Sequence, residues 1–269
     1  LAPVLARMDA DDVSFPWRLR AQLDYLDRHP LVGVVGTWWC PWLGDDLSDR
    51  AGCYPDSHDW IRRQLERGRN VLVHSSIAMR RSVLPVDEDV YRFRWIQDYD
   101  LWLRLISRVR FGIVPRVCHL SRLHIGRVSA ANRKSRKRLH AAIRRLHEER
   151  QTTGREVSSL RRLEDEAMGM AAPDKAAELN ADWMRGISAV FARDLPSARR
   201  HFAQALRRPG GMKKNTLMWW MISSCPGGDK ALARVLPGYR YLRRLEEVCD
   251  PVEMNAMKSF MRALRETSQ

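Results

Sequence analysis

Two aspartates, Asp9 and Asp11, stand one residue apart just after the apolar segment Val4-Leu5-Ala6. That segment predicts a short buried strand, and alternate residues of an extended chain project to the same side, so the two carboxylates can converge on one point. Two close carboxylates repel each other unless a cation lies between them. Mg²⁺ and Mn²⁺ take oxygen ligands, commonly one or two carboxylates together with substrate phosphates. The spacing therefore points to a divalent metal site.

The same acidic stretch also has a purely structural interpretation. In it, Asp9 and Asp11 form a polar strand end, and Asp12 or Ser14 caps the helix that follows. Pro16 suits the first turn of that helix, because its missing N–H has no partner there in any case. The helix is predicted from three leucines at helical spacing, Leu19, Leu23 and Leu26. Local sequence leaves both interpretations open.

Further along the chain, elements follow that must position these acids. A buried strand is expected over 31–39, a loop or irregular hairpin over 40–58, and a short helix over 59–67. Asn70 to Ser76 is expected to enter a strand, and two closing strands are expected over 111–115 and 117–120. A helix is predicted to start at Asp98, where Asp98 and Asp100 complement the helix dipole. These features describe an α/β arrangement.

Three sequence blocks resemble the inverting family 2 glycosyltransferases of the GT-A fold. The first contains Ala6-Arg7-Met8-Asp9-Ala10-Asp11-Asp12, which corresponds to the DxD block of that family, and extends to Gly36. The second is Asn70-Val71-Leu72-Val73-His74-Ser75-Ser76-Ile77-Ala78-Met79-Arg80-Arg81. The third is Gln97-Asp98-Tyr99-Asp100-Leu101-Trp102-Leu103-Arg104, where the family usually has Glu-Asp-Tyr-Asp-Leu-Trp. The blocks occur in the family's order and cover about the first half of the chain.

The resemblance implies a role for the acidic residues. Asp9 and Asp11 are expected to reach a divalent metal, Mn²⁺ or Mg²⁺, that binds the diphosphate of a nucleotide-sugar donor. Asp98 is expected to be the general base that takes the proton from the acceptor hydroxyl. Gln97 departs from the family's glutamate and removes one negative charge beside that base. Asp100 is expected to support the loop or to cap the helix.

Other polar residues receive weaker assignments from the same resemblance. Asn70, His74 and Ser75 are expected to face the sugar and the acceptor, although His74 and Ser75 can instead satisfy each other and nearby backbone. Asp12 is a further substrate-site candidate that can alternatively cap a helix. Family members end the catalytic domain with a similar R-H---S segment, which makes His124 a candidate metal ligand and Arg127 a candidate partner of the diphosphate.

The first half of the family's catalytic domain has no counterpart in this chain. The family's early P-YN and D-G-S-like segments contact the base and ribose, and neither occurs among the 269 residues. The expected fold class is therefore α/β, an incomplete GT-A, Rossmann-like domain followed by a mostly helical region. The expected division is residues 1–130 for the catalytic part, 131–154 for a basic connecting helix and 155–269 for helices.

The charge balance restricts the partners. A formal charge of +15 and a pI near 10.3 favour phosphate-rich partners. The basic helix expected over 132–150 is either a solvated face or a contact with anionic membrane, where lipid-linked acceptors reside. No aromatic residues interleave its charges, so nucleic acid is an unlikely partner. Five scattered cysteines are typical of reduced thiols and predict a cytoplasmic protein. If the basic helix contacts membrane, the protein is expected at the inner face of that membrane.

The C-terminal region is expected to be helical throughout, without strands. Residues 189–206 resemble one helix-turn-helix unit of the tetratricopeptide kind, in which Ala198 and Ala205 bracket Phe202. Met218-Trp219-Trp220-Met221-Ile222 is expected to form the core of this appendage or an apolar patch for a membrane or partner.

The predicted function is inverting transfer of a hexosyl group from a nucleotide diphosphate-sugar to a hydroxyl of a glycan or lipid-linked acceptor, in cell-surface glycan or polysaccharide synthesis. Two alternatives remain open. One is a truncated module that binds without catalysing. The other is a basic helical protein that binds anionic membrane or nucleic acid, and it predicts binding that weakens steeply with salt.

Overall fold

A computed structural model describes residues 2–43, 46–47, 50–123, 133–158, 160–169, 194–207, 213–225, 227–228 and 241–267, with residues 182, 185–186, 189–190 and 231. Its first half is α/β and most of its second half is helical, so the predicted fold class is confirmed.

The strands are β1 Val4–Ala6, β2 Val13–Ser14, β3 Val32–Leu43, β4 Asp46–Leu47, β5 Arg50–Gly52, β6 Ala78–Arg80, β7 Arg110–Leu123 and β8 Leu242–Arg244. The helices are α1 Arg18–Arg28, α2 His58–Glu66, α3 Gln97–Leu105, α4 Arg133–Thr153, α5 Leu160–Gly169, α6 Leu195–Arg207, α7 Lys213–Ser224, α8 Leu245–Val248 and α9 Pro251–Thr267. Two short 3₁₀ turns span His74–Ser76 and Arg81–Val83. Of the helices in these ranges, none has the length and apolar composition needed to cross a bilayer.

The sheet is built around β3. Strand β7 runs parallel to it along its whole length, β6 pairs with it antiparallel, and β1 follows on the far side of β6. Strand β2 pairs with β7 through Val13 and Leu120, which brings the segment after the acidic stretch to the sheet.

Strand β7 is continuous, so the prediction of two separate strands over 111–115 and 117–120 is wrong. The register with β3 shifts between Thr37, paired with Val114, and Trp38, paired with Val117. This irregularity accommodates Pro115, which has no N–H for the ladder.

The main core lies between the sheet and the helices α2, α3 and α4. Helix α3 is buried on nearly every side: all residues from Tyr99 to Leu105 are inaccessible or nearly so. Trp102 packs edge-on against Phe111 of β7, with ring centroids 6.1 Å apart. The helix that carries Asp98 is thus fixed against the sheet.

The C-terminal residues return to this sheet. Strand β8 pairs antiparallel with β5, which contradicts the expectation of helices alone after residue 155. Helix α9 places Met257 and Met261 in one buried cluster with Phe15 and Trp42.

Helices α6 and α7 pack on each other, as the small residues of α6 predict. Ala198, Phe202 and Ala205 are buried, and Phe202 shares a core cluster with Trp219. Met218 and Met221 are exposed, so the predicted apolar core segment is buried only in part.

Candidate functional site

The acidic stretch forms a turn. Strand β1 ends at Ala6, and the N–H of Asp12 donates to the carbonyl of Asp9 at 3.3 Å. The expected extended geometry, with Asp9 and Asp11 projecting to the same side by alternation, is therefore wrong. The side chain of Asp9 is 40% exposed, and Asp11 lies at the surface.

Arg18 stabilises this turn through hydrogen bonds on its buried side. Its guanidinium is buried and donates to the carbonyls of Arg7 at 2.8 Å and Ile77 at 3.1 Å, and to Ser14 Oγ at 2.7 Å. Its Nε donates to Gln22 Oε1 at 3.0 Å. Because this one planar guanidinium donates to several backbone and side-chain acceptors, it fixes the acidic turn relative to α1 and to the segment around residue 77.

Gln22 completes this support. Its Nε2 donates to the carbonyl of Val35 at 3.0 Å and to that of Ser76 at 2.9 Å. The buried face of α1 is therefore polar as well as apolar, and of the three leucines from which the helix was predicted, Leu26 is buried while Leu19 and Leu23 are exposed.

A buried cluster of Asp12, Ser75 and His119 lies beneath the turn. Ser75 Oγ donates to Asp12 Oδ2, and His119 Nε2 lies 3.0 Å from the same oxygen. The N–H of Arg122 donates to the other oxygen, Oδ1, at 2.8 Å. Both oxygens of Asp12 are thus engaged. Asp12 does not cap α1, whose first residue follows Trp17 without a side-chain cap.

The charge states in the buried cluster follow from burial and hydrogen bonding. Burial lowers the pKa of His119 below its ordinary value, although the hydrogen bond with Asp12 opposes this. Burial raises the pKa of Asp12, yet the hydrogen bonds from His119, Ser75 and the Arg122 backbone outweigh it and leave that pKa below its ordinary value. His119 is therefore neutral at pH 7 and donates its Nε2–H to the ionised Asp12.

These three residues do not form a nucleophilic triad. In such a triad the carboxylate and the hydroxyl bond to opposite ring nitrogens. Here Asp12 and Ser75 both approach Nε2 of His119, at 3.0 Å and 2.9 Å, while Nδ1 is buried without a partner among the described residues. The cluster ties the acidic turn to β7 and to the turn at Ser75.

A second group, the open cluster, comprises Arg7, Asp9, Asn70, His74, Tyr91 and Asp98. Arg7 Nη2 lies 2.5 Å from Asp9 Oδ1, and Asn70 Nδ2 donates to Asp98 Oδ2 at 2.7 Å. Burial chiefly lowers the pKa of His74, whereas the charges of Asp98 and Asp9 raise it and that of Arg7 lowers it. The charges of Asp9 and Asp98 therefore both raise the pKa of the same imidazole, although 89 positions separate the two residues in the sequence.

Asn70 and Asp98 both lie where regular secondary structure is interrupted or begins. Residues 70–73 are irregular and lead into the 3₁₀ turn at His74, so the predicted strand from Asn70 to Ser76 is wrong. Asp98 lies in the first turn of α3, and Ile96 is the residue that precedes this helix. Ile96 has a φ of 52°, which is unfavourable for a β-branched residue. Such strain persists only where surrounding packing fixes the backbone.

Asp100 has a structural role. Its carboxylate is fully buried and accepts two hydrogen bonds from Arg92, at 3.0 and 2.6 Å, and one from Arg104 at 3.1 Å. The expectation that Asp100 supports the loop before α3 is confirmed. Asp100 does not cap this helix, whose cap residue is Ile96.

Six of the predicted site residues fall into two groups, and Asp11 lies at the surface of the acidic turn outside both. Asp9, Asn70, His74 and Asp98 belong to the open cluster, and Asp12 and Ser75 belong to the buried cluster. His124 and Arg127 lie outside the described residues. Sequence reasoning missed four participants: Arg7, Tyr91, His119 and Arg122. Of these four, His119 carried a signal, as a histidine within the otherwise apolar segment Val117-Cys118-His119-Leu120.

The described residues contain no group of three or more histidine, cysteine or acidic side chains arranged to hold a metal. Asp9 and Asp11 carry hard oxygen donors at the surface of the turn, where Asp9 Oδ1 is paired with Arg7, and both oxygens of the buried Asp12 accept hydrogen bonds. Two carboxylates fit Mg²⁺ or Mn²⁺ when substrate phosphates and water supply the other ligands.

Comparison with known proteins finds several named glycosyltransferases among the relatives, and no family model matches the chain. The amylovoran biosynthesis glycosyltransferase AmsE of Erwinia amylovora is 30% identical over 39% of this chain and 38% of its own length. The putative glycosyltransferase EpsE of Bacillus subtilis is 35% identical over 38% of this chain and 37% of its own. The O-antigen biosynthesis glycosyltransferase WbnJ of Escherichia coli is 32% identical over 39% of this chain and 40% of its own.

These matches cover about two fifths of the chain and of each relative. They support a glycosyltransferase relationship at that coarse level.

Proposed function

We propose that the chain is the acceptor-side part of an inverting, metal-assisted family 2 glycosyltransferase of the GT-A fold. It transfers a hexosyl group from a nucleotide diphosphate-sugar to a glycan or lipid-linked hydroxyl, in the synthesis of a cell-surface polysaccharide. The observation that carries the proposal is the open cluster, in which Asn70 donates to Asp98, Arg7 pairs with Asp9 and the charges of both aspartates reach His74. Relatives named for amylovoran and O-antigen biosynthesis agree with this substrate class.

Asp98 is the proposed general base. Inversion by a single displacement needs one carboxylate that takes the proton of the attacking hydroxyl. Asn70 donates to one oxygen of Asp98 and so orients the carboxylate. The other oxygen is then the one that accepts the proton.

Asp9 and Asp11 are the proposed metal ligands, with His124 as a third candidate and Arg127 as a partner of the diphosphate. Bound Mn²⁺ or Mg²⁺ supplies a Lewis acid that stabilises negative charge on the departing nucleoside diphosphate. Arg18 and the buried cluster keep the turn that carries both carboxylates in place.

The test measures release of nucleoside diphosphate from a panel of nucleotide-sugars, with and without Mn²⁺, with the family's donor-binding half supplied upstream. Wild type, Asp11→Asn, Asp98→Asn and the exposed control Asp27→Asn are compared. We expect metal-dependent release from one donor, a loss of about a hundredfold or more in Asp98→Asn, loss in Asp11→Asn, and wild-type rates in Asp27→Asn. The anomeric configuration of the product, read by NMR, tests inversion.

Two results contradict the proposal. Release that is insensitive to both substitutions places the chemistry elsewhere. No release from any donor by folded wild-type protein favours the alternative of a binding module without catalysis.

A further inference from the structure

Tyr91 is a partly exposed aromatic residue in the open cluster. Its side chain belongs to a loop without helix or strand between Leu84 and Ile96, and 39% of the residue is exposed. Large exposed aromatic side chains in irregular loops ordinarily gain little from being held in one position, because ordering a side chain costs conformational entropy.

The loop is nevertheless fixed on both sides of Tyr91 by buried charges. Arg104 donates to the carbonyl of Val90 at 2.5 Å, and Arg92 forms a two-point hydrogen bond with Asp100. The side chains of Arg92, Arg104 and Asp100 are 10%, 2% and 0% exposed. Removing such charges from water is costly unless they are well paired. The network therefore fixes the backbone at Val90 and at Arg92, and so fixes the position of Tyr91 between them.

A further ion pair connects this network to the next part of the chain. Arg92 Nη1 donates to Glu156 Oε2 at 2.8 Å, and Glu156 also accepts from Arg150 of α4. The position of Tyr91 is thus fixed relative to α3, which carries Asp98, and to α4.

The side chain of Tyr91 is directed to His74, which belongs with the proposed base to the open cluster. Its Oη lies 2.9 Å from His74 Nε2, and the two rings meet edge to face at 5.5 Å. The His74 ring in turn packs edge-on against the buried Trp102 at 5.9 Å. Burial raises the pKa of Tyr91 and the charges of Asp98 and Asp9 raise it further, so the phenol keeps its proton at neutral pH.

We propose that Tyr91 is a contact residue for the acceptor sugar, and this inference rests on the proposed function. A hydroxyl that loses its proton to Asp98 must lie within hydrogen-bond reach of that carboxylate. The acceptor's sugar ring then lies beside Tyr91. The phenol ring offers an apolar surface to the C–H face of a pyranose. Its hydroxyl keeps a free donor or acceptor site for a sugar hydroxyl, whichever way the bond to His74 points.

The ligand class is a neutral hexopyranose. The experiment uses the full chain and a panel of methyl glycosides of glucose, galactose, mannose and N-acetylglucosamine, with binding detected by ligand-observed saturation-transfer NMR. Wild type is compared with Tyr91→Phe, Tyr91→Ala and Val86→Ala. Val86 is a matched control because it lies in the same loop and is 93% exposed.

We expect at least one glycoside to bind wild type and Val86→Ala equally. Tyr91→Phe, which loses one hydrogen bond, is expected to bind roughly three- to tenfold more weakly. Tyr91→Ala, which also loses the ring, is expected to weaken binding more than tenfold. Equal binding by wild type and Tyr91→Ala, or no binding of any glycoside by wild type, overturns the inference.

A second readout separates this inference from the proposed function. Release of nucleoside diphosphate to water, without acceptor, tests the proposed metal ligands and the proposed base Asp98, whereas the NMR experiment tests only the binding of an acceptor sugar. Weakened glycoside binding in Tyr91→Ala, with wild-type binding and wild-type release in the control Val86→Ala, supports the acceptor role. Absence of release in wild type contradicts the transferase proposal alone, because the NMR experiment decides on Tyr91 without catalysis.

Discussion

Asn70 Nδ2 donates a hydrogen bond of 2.7 Å to Oδ2 of Asp98, and this bond joins two segments that are 28 positions apart. Asn70 lies in an irregular segment. Its side-chain oxygen Oδ1 accepts a hydrogen bond from the N–H of Leu72 at 3.3 Å. The amide of Asn70 is thereby oriented on its own loop before it reaches Asp98. The orientation of the proposed base therefore depends on a residue outside its helix.

We expect Asn70→Ala to lower the rate of sugar transfer about tenfold. The substitution removes the hydrogen bond that fixes the carboxylate, and a misplaced general base loses rate even when it is chemically intact. The rate of nucleoside diphosphate release with saturating donor and acceptor measures the effect. Asn70→Ser, which keeps a short donor, serves as the partial control. A rate unchanged in both variants means that Asn70 does not orient Asp98.

Asp12→Ala is expected to lower the free energy of unfolding by about 2–4 kcal/mol. It leaves Ser75, His119 and the N–H of Arg122 buried without their shared acceptor, and buried unsatisfied groups carry a large penalty. Urea denaturation followed by tryptophan fluorescence measures the change. The exposed Asp27→Ala is the control and is expected to stay within about 0.5 kcal/mol of wild type. A loss equally small in Asp12→Ala contradicts the role given to the buried cluster.

Arg18→Ala and Arg20→Ala form a matched pair on α1. Arg18 is buried and donates to the carbonyls behind the acidic turn, whereas the side chain of Arg20 is 82% exposed with an ion pair at 4.0 Å. Because several buried acceptors lose their donor, we expect Arg18→Ala to cost about 2–4 kcal/mol of unfolding free energy. We expect Arg20→Ala to cost less than about 0.5 kcal/mol. Equal urea midpoints in the two variants contradict the assigned role of Arg18.

The unfolding free energy is expected to fall as the pH is lowered from 7 to 5. Burial lowers the pKa of His74, His119 and His147 in the folded protein, so the unfolded chain takes up protons near pH 6.5 while the folded protein does not. Stability is therefore complete above about pH 6.5 and is lost as the pH falls toward the lower folded-state values.

Urea midpoints measured between pH 5 and 8 test this dependence. His119→Gln cannot titrate but keeps an amide donor for Asp12, so its profile is expected to be flatter than that of wild type. An identical slope in wild type and His119→Gln means that His119 is not the neutral partner of Asp12.

Local sequence determined the elements whose causes are local. Helix α1 starts after Pro16, α2 begins at the cap residue Ser57 and ends before Gly68 with a φ of +79°, and α3 begins beside Asp98. Hydrophobic period, capping residues and glycine conformations act within a few residues and can be read directly. The candidate site residues Asn70, His74 and Asp98 were predicted from the resemblance to a family, and Asp9 from that resemblance and from its spacing to Asp11.

Contacts between distant segments decided the rest. The turn at Asp9 replaced the expected extended strand because Arg18 and His119 hold the chain there, from 9 and 110 positions away. Tyr91 had no signal, since its place beside His74 depends on Arg92 and Arg104 binding one buried carboxylate. Strand β8 formed because β5 offered an edge to pair with. Residue types fix which groups can bond, but only the folded chain brings a particular donor within 3 Å of a particular acceptor.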